Sequence, residues 1–410
     1  MQSSARTDMT RSAVLTFIGS HGPTSRADLA RSLGVSPALM TQLTKDLLNE
    51  GLISELEYSP SRGGRPARLL GLVVDAGGAI GVKVVADHIT VVEVGITGTV
   101  LRSATEPFDA STMTAVETLI GLLRIFINSS VSTRLLGIGV AIPGNIDEQS
   151  VGTVESTQLG WSRLPLGARL REAFDLPVLV DNNVNALAAA EALYGQAKGH
   201  ANALVVTIGT GVGAGIIADG VVFRGHSGVA GEIGHIPTIE NGPLCQCGGH
   251  GCLEAVIGQQ ALVDQARKRG VLTGSETLGV LRDRADSGDP DAQKIFAEAG
   301  HLLGRALAGV VNTLDPEVVI ILGEGAESWQ HWMYGFEPAL RSCLVPAKRG
   351  IPVAVESWQD DRWAQGAACL VLTTPFDEQG LSGDQGQWIR RRLAKSAQPG
   401  AADVTTKARQ

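Results

Sequence analysis

Three of the five cysteines in this 410-residue chain fall within one short stretch, Cys245-Gln246-Cys247-Gly248-Gly249-His250-Gly251-Cys252. Cys-x-Cys-x4-Cys gathers three soft thiolates on a slim, glycine-rich loop. Soft thiolates with a neutral imidazole as the fourth ligand are the donor set that tetrahedral zinc selects. Two histidines compete for the fourth place: His250 inside the loop, and His235, ten positions before Cys245. Four protein ligands leave no open position, so the ion is expected to be structural. So few cysteines, so grouped, do not make a disulfide scaffold.

A second constellation is Ser61-Arg62-Gly63-Gly64-Arg65-Pro66-Ala67-Arg68, with three arginines and no acid. A basic loop kept slim by glycine can enter a narrow minor groove, where the negative potential of DNA is strongest. The elements before it have to place it. Thr10–Ser20 has the spacing of a short amphipathic helix that Gly22-Pro23 stops. Ser25–Leu33 reads as a second helix, with Thr24 or Ser25 as its cap and Gly34 as its stop. Ser36 then caps a third helix that has Pro37 at its first position. Met40, Leu43 and Leu47 share one face; Ala38, Thr41, Gln42 and Lys45 share the other. Gly51-Leu52-Ile53 ends this helix and opens a strand. Helix, glycine turn, helix and strand pair over residues 1–70 predict a winged helix-turn-helix. Its DNA contacts are expected from Pro37, Ala38, Thr41, Gln42 and Lys45 on the third helix and from Arg62, Arg65 and Arg68 in the wing. The competing reading is a three-helix bundle whose polar face is merely solvated.

Charge separates this head from the rest of the chain. Residues 1–70 hold eight Lys/Arg against six Asp/Glu, whereas the whole chain carries a formal charge of −8. A mildly basic head on an acidic body suits a local anionic partner, not general binding of nucleic acid over the whole surface. With 44% hydrophobic and 19% charged residues the chain can bury a real core. It shows no membrane-length apolar run and no signal peptide at its start, so a soluble, cytoplasmic protein with no membrane partner is expected.

From Gly71 to about Thr374, strand-like and helix-like runs alternate. Ile80–Val85 and Ile89–Val94 read as a hairpin, Leu136–Ile142 and Val318–Leu322 as buried strands, and Leu204–Ile208 and Gly213–Ile217 as strands flanking a glycine turn. Met113–Ile127, Leu164–Phe174 and Ala186–Tyr194 read as helices. The pattern is α/β, in two lobes around a cleft. Residues 376–410 turn polar and read as a disordered tail with one helical turn near Trp388.

Gly231-Glu232-Ile233-Gly234-His235 followed by Cys245–Glu254 resembles the hallmark of the ROK family of sugar kinases and sugar-responsive repressors. The resemblance extends to Ala141-Ile142-Pro143-Gly144, Asp181-Asn182-Asn183-Val184-Asn185-Ala186 and Gly209-Thr210-Gly211-Val212-Gly213, in the family's order. The head, down to Gly64-Arg65-Pro66-Ala67, resembles that of the family's repressor branch. The resemblance implies a two-lobed α/β body of actin-like, ribonuclease H-like fold. Its lobes would span 71–185, with a returning helix near 360–374, and 186–355, with the zinc loop. It implies His235, with Cys245, Cys247 and Cys252, as the zinc ligands. It also implies hydroxyl contacts to a sugar from Asn182, Glu232, His235 and Glu254.

Two departures bear on phosphoryl transfer. The family's kinases open the body with Asp-x-Gly-Gly-Thr, but here Lys83 takes the Asp position and Val85-Ala86-Asp87 replaces Gly-Gly-Thr. The β-carbons there should block close approach of phosphate. Asn183 aligns with the catalytic Asp, and an amide cannot serve as a base. Gly323-Glu324-Gly325 is a softer departure where paired glycines near adenosine are usual, and Gln158 replaces a frequent Asn. The expectation is a sugar-responsive repressor of carbohydrate-utilisation genes, without enzyme activity, with structural Zn2+. It would bind an inverted-repeat operator with A·T-rich flanks as a homodimer or dimer of dimers. The alternatives are a sugar kinase with an added DNA-binding head, and a DNA-binding protein whose body only dimerises.

Overall fold

The computed structural model describes residues 11, 14–15, 17–19, 22–49, 51–58, 66–73, 77–132, 134–356, 361–374 and 383–394. Its sixteen strands are β1 Thr24–Ser25, β2 Ile53–Tyr58, β3 Arg68–Leu72, β4 Gly78–Val84, β5 His88–Gly95, β6 Val100–Pro107, β7 Leu135–Ile142, β8 Asn145–Ile146, β9 Val154–Ser156, β10 Trp161–Leu164, β11 Val178–Asn182, β12 Ala203–Ile208, β13 Val212–Ala218, β14 Val221–Phe223, β15 Val318–Leu322 and β16 Val353–Val355. The chain divides into two compact units, one made of the segment through Asp181 together with that from Ala364, the other of Asn182–Trp363.

In the head, Val14, Leu15 and Ile18 sit at helical positions and are buried. Helix Arg26–Ser32 starts at Ser25, whose hydroxyl accepts the Asp28 N–H and donates to the Asp28 carboxylate at 2.7 Å. Gly34, at φ +62°, makes the turn into helix Pro37–Asn49. Met40, Leu43 and Leu47 are buried, as their spacing predicts. β2 and β3 pair antiparallel, and β1 adds to β3 to give the order β1-β3-β2, the sheet of a winged helix.

The first unit also contains a five-stranded sheet, order β11-β7-β4-β5-β6. The antiparallel meander β4-β5-β6 joins β7, which runs parallel to β4. Helices Ala115–Asn128 and Leu166–Phe174 contribute Leu119, Leu123 and Leu170 to a core with Ile80, Val82, Ile138 and Val140. Helix Asp361–Leu372 lies against the sheet so closely that a β-carbon on Gly81 would collide with the carbonyl of Ala364, and one on Gly139 with that of Ala367. Backbone on both sides leaves no side chain to give way. Gly139→Ala is therefore expected to lower stability by about 1–3 kcal/mol or more, read as a drop in Tm. A variant as stable as the parent would contradict the close approach.

The second unit repeats the topology. Its sheet has the order β14-β13-β12-β15-β16, again a meander, β12-β13-β14, with parallel strands beyond its first member. Helices Pro290–Leu314 and Trp329–Cys343 cover it, with Phe296, Leu303, Leu307, Trp332 and Phe336 fully buried between them and the strands.

In the segment expected to hold one helical turn near Trp388, residues Gly383–Ala394 form a helix of about three turns that contains Trp388. Ile389 and Leu393, four apart on one face, are buried, and Arg392 Nε donates to the Leu135 carbonyl at 3.0 Å. The apolar pair gives an otherwise polar helix its docking face. Among the described residues no helix is long and apolar enough to cross a membrane.

Candidate functional site

The cysteine loop closes on itself. Cys245 N–H donates to Gly249 O and Gly248 N–H to Cys245 O, at 2.8 and 2.9 Å. Gly251, at φ +69°, turns the chain where a β-carbon would strike the Ile239 carbonyl. Leu253 N–H then bonds Ile236 O at 2.9 Å, tying the loop's exit to the segment after His235.

This brings His235, Cys245, Cys247 and Cys252 together with their donor atoms all within 4.8 Å of one another. Cys245 Sγ lies 3.5 Å from His235 Nδ1, and Cys247 Sγ lies 3.7 Å from Cys252 Sγ. Zn–S bonds of about 2.3 Å and a Zn–N bond of about 2.05 Å, set at tetrahedral angles, require S···N and S···S edges of about 3.6 and 3.8 Å. The donor set therefore fits zinc in type, number and spacing. His250 is not part of it: its Nδ1 faces the Gly242 carbonyl at 3.2 Å. The cysteines are free, not bridged.

Burial pushes the Cys245 thiol up and the Cys252 thiol up to about 12, whereas the Gly249 N–H holds Cys247 down. Only a bound cation makes three adjacent thiolates favourable there. Binding a dication must then displace protons, so the metal's contribution is present at neutral pH and lost as pH falls. Metal content measured after dialysis from pH 8 to pH 5 should decline with acid; retention at pH 5 with release at pH 8 would contradict the thiolate set.

With Nδ1 on the metal side, the His235 ring turns Nε2 toward Glu232 Oε2, 3.6 Å away. The 3₁₀ turn Ile233–His235 sets the two side chains on one side. Burial raises the Glu232 carboxyl above its usual range; His235 opposes this and the Glu254 charge adds to it. Glu254, in the first turn of helix Leu253–Ile257, accepts the Val212 N–H on Oε2 at 3.0 Å. That amide was not legible in the sequence as a partner. Asn182 caps helix Asn183–Tyr194, its Oδ1 accepting the Val184 N–H at 2.8 Å. Asn183 Oδ1 faces the same N–H at 2.9 Å, and Asn185 is buried. Lys83, near the end of β4, is buried and in register with Ala141 of β7.

In the head, Pro37, Ala38, Thr41, Gln42 and Lys45 are all exposed along one face of helix Pro37–Asn49. Thr41 Oγ1 donates to Pro37 O at 2.8 Å, and Gln42 Nε2 donates to Asp46 at 3.0 Å. Arg62 and Arg65 lie outside the described residues. Arg68 stands at the start of β3, paired with Glu55 at 2.8 Å and stacked near Tyr58; Glu55 also takes Arg26 at 2.8 Å.

The ROK family profile matches residues 79–374 and the MarR family profile residues 8–57. A xylose repressor of Bacillus spizizenii is 30% identical over 75% of this chain and 80% of its own. A crystal structure of a ROK family transcriptional regulator, described as a homologue of the E. coli MLC protein, is matched with a TM-score of 0.79 at 25% identity, over 95% of this chain and 99% of that one. A ROK family glucokinase from Streptomyces griseus, in complex with glucose and AMPPNP, is matched with a TM-score of 0.62 at 26% identity, over 72% of this chain and 99% of that one.

Proposed function

The chain belongs to the ROK family, and on that premise we propose that it is a sugar-responsive transcriptional repressor without kinase activity. The observation that carries this reading is the joining of a MarR-type head, whose third helix presents Thr41, Gln42 and Lys45 to solvent, to a ROK body over residues 79–374. The likeness to a xylose repressor over 75% of the chain and to a regulator structure over 95% of it supports this reading, whereas the glucokinase match covers 72%.

In this reading zinc is structural and holds the ring of His235, so that Nε2 meets a ligand hydroxyl beside Glu232 and Glu254. Carboxylates accept from vicinal hydroxyls, and the amide of Asn182 can donate or accept. The ligand is a sugar or sugar derivative. The head binds operator DNA arranged as an inverted repeat, because a two-fold homodimer presents two equivalent heads. The sugar acts by differing in affinity for the operator-competent and operator-incompetent arrangements. The protein works in the cytoplasm, where its operator is.

Lys83 and Asn183 stand where phosphoryl transfer needs acidic groups, and an amide does not remove a hydroxyl proton. Purified protein in a coupled assay with ATP and common hexoses is expected to show no turnover, and Asn183→Asp alone should not create any. Turnover by the wild type that Glu232→Ala abolishes would overturn the reading in favour of a kinase with a DNA-binding head.

A further inference from the structure

The turn Gly209-Thr210-Gly211 joins β12 to β13 with no β-carbon at two of its three positions, which leaves backbone open to close approach. A carboxylate already makes that approach. Glu324 opens the 3₁₀ turn Glu324–Ser328 after β15, and a β-carbon on Gly209 would collide with its Oε2. A second carboxylate stands on the other flank, since a β-carbon on Gly211 would meet Glu254 Oε2 at 3.0 Å. The turn's own amides are partly spent: Gly209 N–H donates to Gly211 O at 2.9 Å, and the Val212 N–H to Glu254. Glu324 is also on the wall of a cavity of about 360 Å³ with Gln259, Gln260, Thr277, Arg282 and Glu327. Arg282 there is paired with Glu327.

We propose that Glu324 is a selectivity residue that closes this glycine turn to phosphate, so that the body excludes nucleoside triphosphates while it accepts an uncharged polyol beside the zinc loop. The inference rests on the reading of the body as a sensor and supplies a physical reason for the loss of phosphoryl transfer independent of Lys83 and Asn183. A polyphosphate would have to place its oxygens where the Glu324 carboxylate is, against a like charge. An amide at 324 keeps the volume and removes the charge; alanine removes both.

Binding of Mg-ATP by calorimetry and of its trinitrophenyl analogue by fluorescence tests this on zinc-loaded wild type, Glu324→Gln and Glu324→Ala, with zinc content and Tm confirming the fold. The wild type is expected to show no binding at about 1 mM, the top of the usual substrate range. Glu324→Ala should bind at least about tenfold more tightly than wild type, with Glu324→Gln between them. If neither variant gains affinity, or if the wild type binds as tightly as Glu324→Ala, Glu324 is not the gate. A wild type that binds ATP without transferring phosphate overturns this proposal and leaves the regulator reading standing; one that binds and transfers overturns both.

Discussion

Cys247→Ser protein is expected to purify without zinc and to lose its sugar response, whereas Cys343→Ser keeps both. Cys247 and Cys343 are both exposed free thiols, so neither change disturbs a packed core, and only the first removes a donor from the four. The loss should be large because His235 both belongs to the four-donor cluster and neighbours Glu232. Without the ion, burial disfavours charge on the Cys245 and Cys252 thiols, and nothing fixes the His235 ring. Structural zinc contributes about 10–16 kcal/mol in free peptides. At about 2–4 °C per kcal/mol for a unit of this size, losing even about 3 kcal/mol of it lowers Tm by about 6–12 °C. Elemental analysis and a melting curve read both effects. A zinc-free variant that melts and binds sugar like the parent would show that the ion has no structural part in the ligand site.

The second large effect is expected in the head. Gln42→Ala should relax discrimination at one base pair in each half-site by about 1–3 kcal/mol. In the free protein Asp46 holds the Gln42 amide nitrogen, leaving Oε1 to accept from a base amino group. Lys45→Ala should instead weaken binding to all sequences and reduce the salt slope by about one. Arg65→Ala in the wing is expected to act like Lys45→Ala and also to reduce any preference for A·T flanks. Titrations against an operator and its single-base variants at several salt concentrations separate these roles. If Gln42→Ala weakens all duplexes equally, the helix does not read bases through that residue. The pairing of Arg68 with Glu55 ties it to the sheet, and its replacement should show mainly as lost stability.

The candidate metal site was legible because three cysteines in one loop have few other uses, but spacing alone did not choose between His235 and His250. The chain fold does, by carrying the segment after His235 back beside the loop through Leu253 N–H to Ile236 O. Long apolar runs such as Leu136–Ile142 and Val318–Leu322 announced their strands and matched β7 and β15 closely. The edge strand β6, Val100–Pro107, did not, because its exposed alternation resembles a polar loop. The strands β1, β8, β14 and β16 are two or three residues long and exist only through their partners. Helix Gly383–Ala394 was legible only as one turn near Trp388, because its average composition is polar and its buried apolar pair, Ile389 and Leu393, is small. The repeated strand order of the two five-stranded sheets left no trace in residue types. Neither did contacts between distant positions, such as Glu55 with Arg26 and Arg68, or Glu324 with Gly209.

Coupling of a sugar in the body to DNA at the head is tested most directly by titrating the zinc-loaded protein against a duplex it selects from a random pool, with and without each sugar or sugar derivative that raises its Tm. At least one such ligand is expected to change operator affinity by about 5–150-fold, the usual range of coupling between two sites. Glu232→Ala should abolish that change while leaving ligand-free DNA binding intact. If no ligand that stabilises the protein alters its operator affinity, the body does not govern the head and the protein is not a sugar-responsive repressor.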